Sequence, residues 1–323
     1  MPKKSQVRTL TDAMNKYFDY LTGADVPVYE RKTRTEKHIK EQKNYIEKFL
    51  TIIRQNGINP SMVHPQVSEE FAEWFYEWLE PKGYSNHTFN HYVKAVKTMY
   101  KYLMQNNFIL YNAFAGMKTK HTATNADIIY ESELELLFKL INYENGFKIV
   151  GGLQKNFYRE WLPNAIKLGL YTGERLDGIT GLKWGDVESN YLKIPNWKLR
   201  RFEDSNQEFS YVPITADFAK FLLELKCESP NDYLIAPLMA NREYVKSQLS
   251  KSFSHYWSLT NNPKQITFRH LRKTFETRMW MLLGPKVKGL KRHKNLSTKV
   301  DHYLSQKEIY KELEGQDMFN IEW

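Results

Sequence analysis

The sequence has almost no cysteine and no long hydrophobic run. Its 323 residues include a single cysteine, Cys227, which excludes an intrachain disulfide and a cysteine metal cluster. No run approaches the ~18 consecutive apolar residues of a membrane-spanning helix, and the N-terminus lacks an apolar signal core. Internal repeats and low-complexity tracts are absent too. We therefore expect an intracellular protein that does not enter a membrane.

Positive charge is in excess along the chain. Lys and Arg number 47 against 37 Asp and Glu, which gives a net charge of +10. The segment up to Asn125 and the segment after it are both basic, so the excess is not confined to a tail. This balance favours a polyanionic partner such as DNA or RNA. The length predicts two domains, since one domain takes ~100–200 residues.

Hydrophobic periodicity predicts an all-helical N-terminal domain. The apolar residues of Ser68–Leu79 recur at the spacing of an amphipathic helix, with Ser68 as the expected N-cap. We interpret the aromatic stripes as core rather than as base-stacking platforms. Met117–Asp127 has no apolar period and is interpreted as a linker, so the domains are predicted at 1–120 and 121–323. The predicted helices are Leu10–Leu21, Glu36–Gln55, Ser68–Leu79 and Ser85–Gln105.

The first part of the C-terminal domain contains a turn, a short helix and a hairpin. The turn Thr172-Gly173 ends one predicted helix, and Arg175 opens the next. Strands are predicted at Tyr191–Pro195 and Phe209–Ile214, and the long charged loop between them contains Lys198. A lysine at the turn of a hairpin can extend into a site formed elsewhere in the domain.

The stretch Ile266–Leu304 contains the densest group of candidate functional residues. Arg269 and Arg272 lie three residues apart at the start of a predicted helix, Phe268–Leu283, for which Thr267 is the expected N-cap. Their guanidinium groups would lie on one side of the first turn, where the helix dipole favours an anion. His293 and Tyr303 follow. By themselves, the two arginines are also compatible with an ordinary solvated helix.

Taken in order, these motifs resemble the tyrosine recombinase (phage integrase) family. The resemblance covers most of the chain: the turn before Arg175, the hairpin lysine, the block Leu271–Phe275 and the late tyrosine. It implies a mainly α fold with a small β-hairpin and two domains. The first would be a helical, SAM-like core-binding domain and the second a mixed α/β catalytic domain.

The resemblance also implies catalytic roles for six residues. Three arginines would bind the scissile phosphate, a histidine would donate a hydrogen bond to it, a lysine would protonate the leaving 5′-oxygen, and a tyrosine would be the nucleophile. In that order they are Arg175, Arg269 and Arg272, His293, Lys198, and Tyr303. Lys193, Arg200 and Arg201 are less well placed alternatives to Lys198, and Tyr310 is a fallback nucleophile.

The chain departs from the family pattern at several positions. Arg269 occupies the place of the family's usual histidine, and His270 lies one position out of register. Gly178 occupies the place of an acid, with Asp177 beside it, and Arg292 replaces a glycine. These departures put individual site residues in doubt more than they do the family. They also suit a degenerate, weakly active enzyme.

The function implied by the resemblance is site-specific cutting and rejoining of DNA through a 3′-phosphotyrosine at Tyr303, without metal, ATP or another cofactor. The partner would be double-stranded DNA, with two protomers on each site and four in the synapse. An accessory DNA-bending protein would be a further possible partner. The tail Gln306–Trp323 would dock on a neighbour or on its own domain. We expect the protein in the cytoplasm at the nucleoid, or in the host cytoplasm if it is viral.

Two other functions remain open at this point. One is a DNA-binding protein that has kept the fold and lost catalysis. The other is a type IB topoisomerase, which shares the chemistry; the absence of a long extra domain argues against it. Fold by itself does not decide among them.

Overall fold

In a computed structural model, the chain folds into two compact units, Met1–Thr124 and Asn125–Trp323. The structure describes residues 7–24, 26–32, 34–122, 127–195, 209–225 and 227–284. Within these ranges the chain is mainly helical, with two short antiparallel strand pairs. The predicted fold class is confirmed. In the part of the chain described, no helix combines the length and the apolar character needed to cross a membrane.

Among its described residues, the first unit contains four α-helices. Thr9 caps the first by accepting a hydrogen bond from the Asp12 amide, and Ser85 caps the fourth in the same way. The expected Ser68 cap is wrong. Glu69 is already helical and stands at the N-cap, and the Ser68 carbonyl, not its hydroxyl, accepts from the Phe71 amide. The helices are α1 (Leu10–Thr22), α2 (Glu36–Gln55), α3 (Glu70–Leu79) and α4 (Asn86–Gln105).

Aromatic rings fill the core of this unit. Phe49 on α2 makes edge-on contacts with Phe75 and Phe114, with ring centres 5.4 and 5.3 Å apart. Burial raises the pKa of Tyr17 to about 12. Phe75 belongs to the aromatic stripe of α3, and its contact with Phe49 places that stripe in the core, as its spacing predicts.

The stretch interpreted as a linker is partly attached to the first unit. The Asn90 side chain on α4 donates to the Lys120 carbonyl and accepts from the Lys120 amide, at 2.8 and 2.7 Å. Asn86 donates to the His121 carbonyl. Asparagine side chains satisfy the backbone of this stretch, and such contacts leave no hydrophobic period in the sequence. Up to His121 it is not a free connector.

The second unit contains six α-helices and four strands among its described residues. The strand pair predicted for the hairpin is present, but the other strand pair was not predicted. The helices are α5 (Glu131–Leu140), α6 (Leu162–Thr172), α7 (Leu176–Gly181), α8 (Ala216–Glu224), α9 (Arg242–Leu259) and α10 (His270–Leu283). The strands are β1 (Phe147–Val150), β2 (Leu153–Asn156), β3 (Tyr191–Pro195) and β4 (Phe209–Pro213). β1 pairs with β2 and β3 with β4.

Helix α6 is the central element of the second unit. All of its residues from Ala165 to Thr172 are buried, and α10 packs against it. The approach is close at Gly169, where a β-carbon would lie 2.9 Å from Leu271 Cδ1. Gly169 lies near the end of α6, and Leu271 lies near the start of α10. The packing of these two residues therefore holds Arg272 close to the turn that follows α6.

Candidate active site

Arg175 is positioned by the turn that joins α6 to α7. α6 ends at Gly173, whose φ of +61° lies in the left-handed region that glycine adopts without strain. Arg175 is extended, with φ −77° and ψ 163°, and is the N-cap residue of α7. Its side chain is exposed. The prediction that Arg175 opens a helix is confirmed.

The far end of α7 is held by Arg242, a residue that the sequence analysis did not identify. Its guanidinium donates to the Thr180 carbonyl of α7 at 2.8 Å. It also donates to the carbonyls of Ile235, Ala236 and Met239. Burial lowers the pKa of Arg242, yet four carbonyl acceptors suit a cation well. No periodicity in the sequence reports this kind of contact.

Arg272 on α10 is bound directly to the turn that precedes Arg175. Its Nη1 donates to the Gly173 carbonyl at 3.0 Å, and its Nε lies 3.1 Å from a carboxylate oxygen of Glu276. A guanidinium has five N–H donors, so these two contacts orient the group without using all of them. The structure thus brings Arg272 next to the segment that presents Arg175.

Arg269 and His270 differ sharply in their surroundings. Arg269 is exposed at the N-cap of α10, whereas His270 is buried. The expected Thr267 cap is wrong: the Thr267 amide donates to His270 Nδ1 at 2.9 Å. Since Nδ1 accepts this bond, we assign the ring proton to Nε2. Of the two candidates for the family's histidine position, Arg269 is the one presented to solvent.

Helix α10 is fixed to the start of α5. Thr274 Oγ1 accepts from the Ile129 amide and donates to the His270 carbonyl, both at 3.0 Å. Arg278 forms an ion pair with Glu131. The apolar anchors of α10 are Leu271 and Met279, which are both buried, whereas Leu282 near its end is 41% exposed.

We expect His270 to make folding sensitive to acid. Burial is the main cause that lowers its pKa in the folded chain, and Lys273 and Arg269 add to the effect. The unfolded chain then binds a proton at a higher pH, near the ordinary histidine value of about 6.5. The contribution of His270 to the free energy of unfolding should be fully present above that value. It should be lost as the pH falls toward the pKa of His270 in the folded chain.

Urea unfolding over a pH series measures this effect. His270→Asn keeps a side chain able to accept from Thr267 but cannot bind the proton. Between neutral and mildly acidic pH, its free energy of unfolding should therefore fall less than that of the wild type. Equal slopes for the variant and the wild type would contradict the assignment.

A buried carboxylate lies beside the position where the family acid is missing. A β-carbon on Gly178 would lie 3.2 Å from both Cβ and Cδ of Glu174, and nearer still to one of its oxygens. Glu174 is 7% exposed. Asp177 instead pairs with Lys246 of α9 at 2.7 Å. Glu174 therefore occupies the space that a side chain at position 178 would fill, which sequence alignment to a motif cannot reveal.

Three of the six candidate residues lie outside the described residues: Lys198, His293 and Tyr303. The alternatives Arg200, Arg201 and Tyr310, the replacement Arg292 and the tail Gln306–Trp323 lie outside them as well. β3 ends at Pro195 and β4 begins at Phe209, and these two residues pair with each other on either side of the segment that contains Lys198. Lys193, the described alternative, places its ammonium 4.1 Å from the centre of the Phe209 ring. Among the described residues, no group of three or more His, Cys, Asp or Glu could hold a metal ion.

Comparison with known proteins gives matches in structure only. No protein-family model matches the chain, and a search of curated proteins found no match. A lambda integrase bound to DNA superposes with a TM-score of 0.63 at 16% identity, covering 90% of this chain and 93% of that one. A lambda integrase tetramer bound to a Holliday junction gives 0.63 at 14% identity, covering 92% and 81%. The Tn1549 transposon integrase in complex with transposon right end DNA gives 0.58 at 16% identity, covering 94% and 97%.

Proposed function

We propose that this chain, which has the tyrosine recombinase fold, cuts and rejoins double-stranded DNA through a 3′-phosphotyrosine at Tyr303, without metal or ATP. One observation carries the proposal: Arg272 donates to the carbonyl of Gly173, two residues before Arg175. The turn that presents Arg175 is therefore in contact with α10, which supports a shared phosphate site for the two arginines. The solved structures with this fold include integrases bound to DNA.

The arginines would bind the phosphate. Guanidinium groups match the oxygens of a phosphate and would neutralise the charge that develops on a pentacoordinate phosphorus. Arg175 and Arg272 would take the two arginine roles, and Arg269 would replace the usual histidine. The exposed side chain of Arg269 and the buried one of His270 support that choice.

The remaining roles follow from the chemistry of the step. A tyrosine hydroxyl has a pKa near ~10 and needs orientation and assistance to attack. The Tyr303 oxygen would form a bond to phosphorus as the bond to the 5′-oxygen breaks. Lys198 would give its proton to that oxygen, and His293 would donate a hydrogen bond to the phosphate. The phosphotyrosine preserves the energy of the linkage, so a 5′-hydroxyl can reverse the step.

The two units would divide the work. The first, predicted at 1–120, would bind DNA, and the second, at 121–323, would carry the chemistry. Two protomers would bind each site and four would form the synapse. A lambda integrase dimer on a core site and a tetramer on a Holliday junction support this stoichiometry by analogy of fold. The protein would act in the cytoplasm on the chromosome or on a mobile element.

A second candidate is a DNA-binding protein of the same fold that has lost catalysis. The replacement of a histidine by Arg269 and of an acid by Gly178 favours it. Glu174 next to Gly178 weighs in the other direction, because it restores a carboxylate at that place. Covalent capture of DNA separates the two candidates.

The test uses a pool of nicked duplexes of random sequence, on which a cleaved strand cannot be rejoined. The wild type is expected to form a covalent protein–DNA adduct, and Tyr303→Phe to form none while still binding DNA. Tyr310→Phe is the matched control and should form the adduct. If only Tyr310→Phe fails to form the adduct, the nucleophile is Tyr310 and not Tyr303. Binding without any adduct from the wild type would favour the inactive binder.

A further inference from the structure

β1 and β2 form a two-stranded ribbon that has no role in the chemistry proposed above. Every residue of the two strands is exposed except Asn156, which is half-buried. Ile149 is 74% exposed and Leu153 is 69% exposed. An isolated two-stranded hairpin is marginally stable in water. A ribbon so little covered by its own domain has a surface available to a partner.

The base of the ribbon is firmly attached to the second unit. The Phe157 amide donates to the Gly146 carbonyl at 2.7 Å, which extends the pairing past the strands. The Tyr256 hydroxyl on α9 donates to the Asn142 carbonyl, also at 2.7 Å. The Phe157 ring stacks on His255, with centres 4.9 Å apart. The ribbon therefore projects from a fixed base.

Two lysines lie directly opposite each other on one face of the ribbon. The register pairs Lys148 with Lys155, and Val150 with Leu153 two residues nearer the turn. Like charges in directly opposed positions destabilise a strand pair. Residues 147–156 contain no Asp or Glu to offset this repulsion. An anion bound between the two ammonium groups would remove it.

We propose that the ribbon, residues 147–156, binds the DNA backbone through Lys148 and Lys155. This inference rests on the proposed function, because it takes the same DNA as its partner. A two-stranded ribbon fits the major groove, which is about 12 Å wide. The turn is narrow, since Gly151 and Gly152 have φ of +60° and +77°, and a β-carbon at either position would meet no atom within 4 Å.

DNA fits this surface better than another protein does. An apolar protein partner would cover Val150 and Leu153, which share a face with the two lysines, but would leave the lysine pair without a counter-charge. A second copy of this chain carries a net charge of +10 itself, so it is a poor match for a basic face. A phosphate backbone supplies the missing anions, and Val150 and Leu153 on the same face would then lie against sugars and base edges.

The experiment measures how salt weakens the binding of a fluorescent DNA duplex of arbitrary sequence. Each lysine that neutralises a phosphate adds about 0.9 to the slope of log affinity against log salt. The variant Lys148→Gln/Lys155→Gln is therefore expected to have a slope lower by about two. The control Lys139→Gln/Lys220→Gln removes the same charge from exposed positions on α5 and α8. It should keep the wild-type slope.

The outcomes separate this inference from the proposed function. A ribbon variant with the wild-type slope, or with the same loss as the control, would overturn the ribbon as a DNA contact and leave the recombinase proposal standing. A wild type that binds no duplex would refute the recombinase proposal itself. If the ribbon variant changes the oligomeric state in the absence of DNA, the ribbon is instead a contact between copies, which also overturns the inference.

Discussion

Replacing Arg272 by lysine is expected to slow formation of the covalent protein–DNA adduct by about two to three orders of magnitude. Lysine keeps the positive charge but loses the planar fork of donors. It cannot hold the Gly173 carbonyl, pair with Glu276 and still present donors to a phosphate as Arg272 would. The affinity for DNA should change little, because the ammonium group of the lysine would still contact the phosphate. Single-turnover adduct formation on the nicked pool measures the rate.

Lys273→Gln is the matched control for this prediction. It removes a charge from the next residue of α10 and leaves both contacts of Arg272 in place. Its rate should stay within a few-fold of the wild type. Equal losses in the two variants would show that the slower rate is not specific to the guanidinium of Arg272, and the assignment of a phosphate-binding role would fail.

Replacing Gly173 by alanine is expected to destabilise the second unit by about 2–5 kcal/mol. The left-handed backbone at φ +61° costs an ordinary residue about 1–2 kcal/mol. The new β-carbon would lie 2.9 Å from Cγ of Phe275 and closer still to Cδ1, which adds an overpacking cost of about 1–3 kcal/mol. Hydrogen exchange of α6 and α10 in the full chain measures the loss, because both helices meet at this turn.

Gly151 provides the control for the backbone part of this effect. Its φ is +60°, nearly the same as that of Gly173, but nothing lies within 4 Å of a β-carbon there. Gly151→Ala should therefore show the conformational cost without the clash. In the Gly173→Ala background, Phe275→Leu should recover part of the difference by making room. A loss in Gly173→Ala no larger than that in Gly151→Ala would mean that the contact with Phe275 carries no energy.

Local patterns predicted many of the regular elements. α2 matches its predicted bounds, because side chains recurring every 3.6 residues pack on a core wherever that core is. β3 also matches, and α4 begins where Ser85 caps it. The prediction missed β1 and β2 although Gly151-Gly152 between two short apolar runs is a hairpin signal. The strands are exposed on both faces, so they lack the alternation that identifies a half-buried strand.

Helix starts were the least predictable local feature. Ser68 and Thr267 have the residue types of N-caps, yet the helices begin at Glu70 and His270. In both cases the N-cap residue follows the candidate and already has helical dihedral angles. The carbonyl of the candidate, and not its hydroxyl, accepts a hydrogen bond from an amide of the first turn. At Thr267, the imidazole of His270 accepts the amide instead. Capping propensity is a local preference of about 1 kcal/mol, which such contacts can outweigh.

The sequence by itself determined the kind of protein: a basic, mainly helical chain whose arginines, turn and hairpin follow each other in an order that resembles the tyrosine recombinases. Only the tertiary structure decided that Arg272 binds the turn before Arg175, that Arg242 holds the end of α7, and that Glu174 fills the space beside Gly178. The physical reason is distance along the chain. Periodicity and motifs report interactions over a few residues, whereas the contacts of Arg272 and Arg242 join segments that are remote in sequence. Glu174 lies close to Gly178 along the chain, but only the fold of the backbone between them brings its carboxylate to that place.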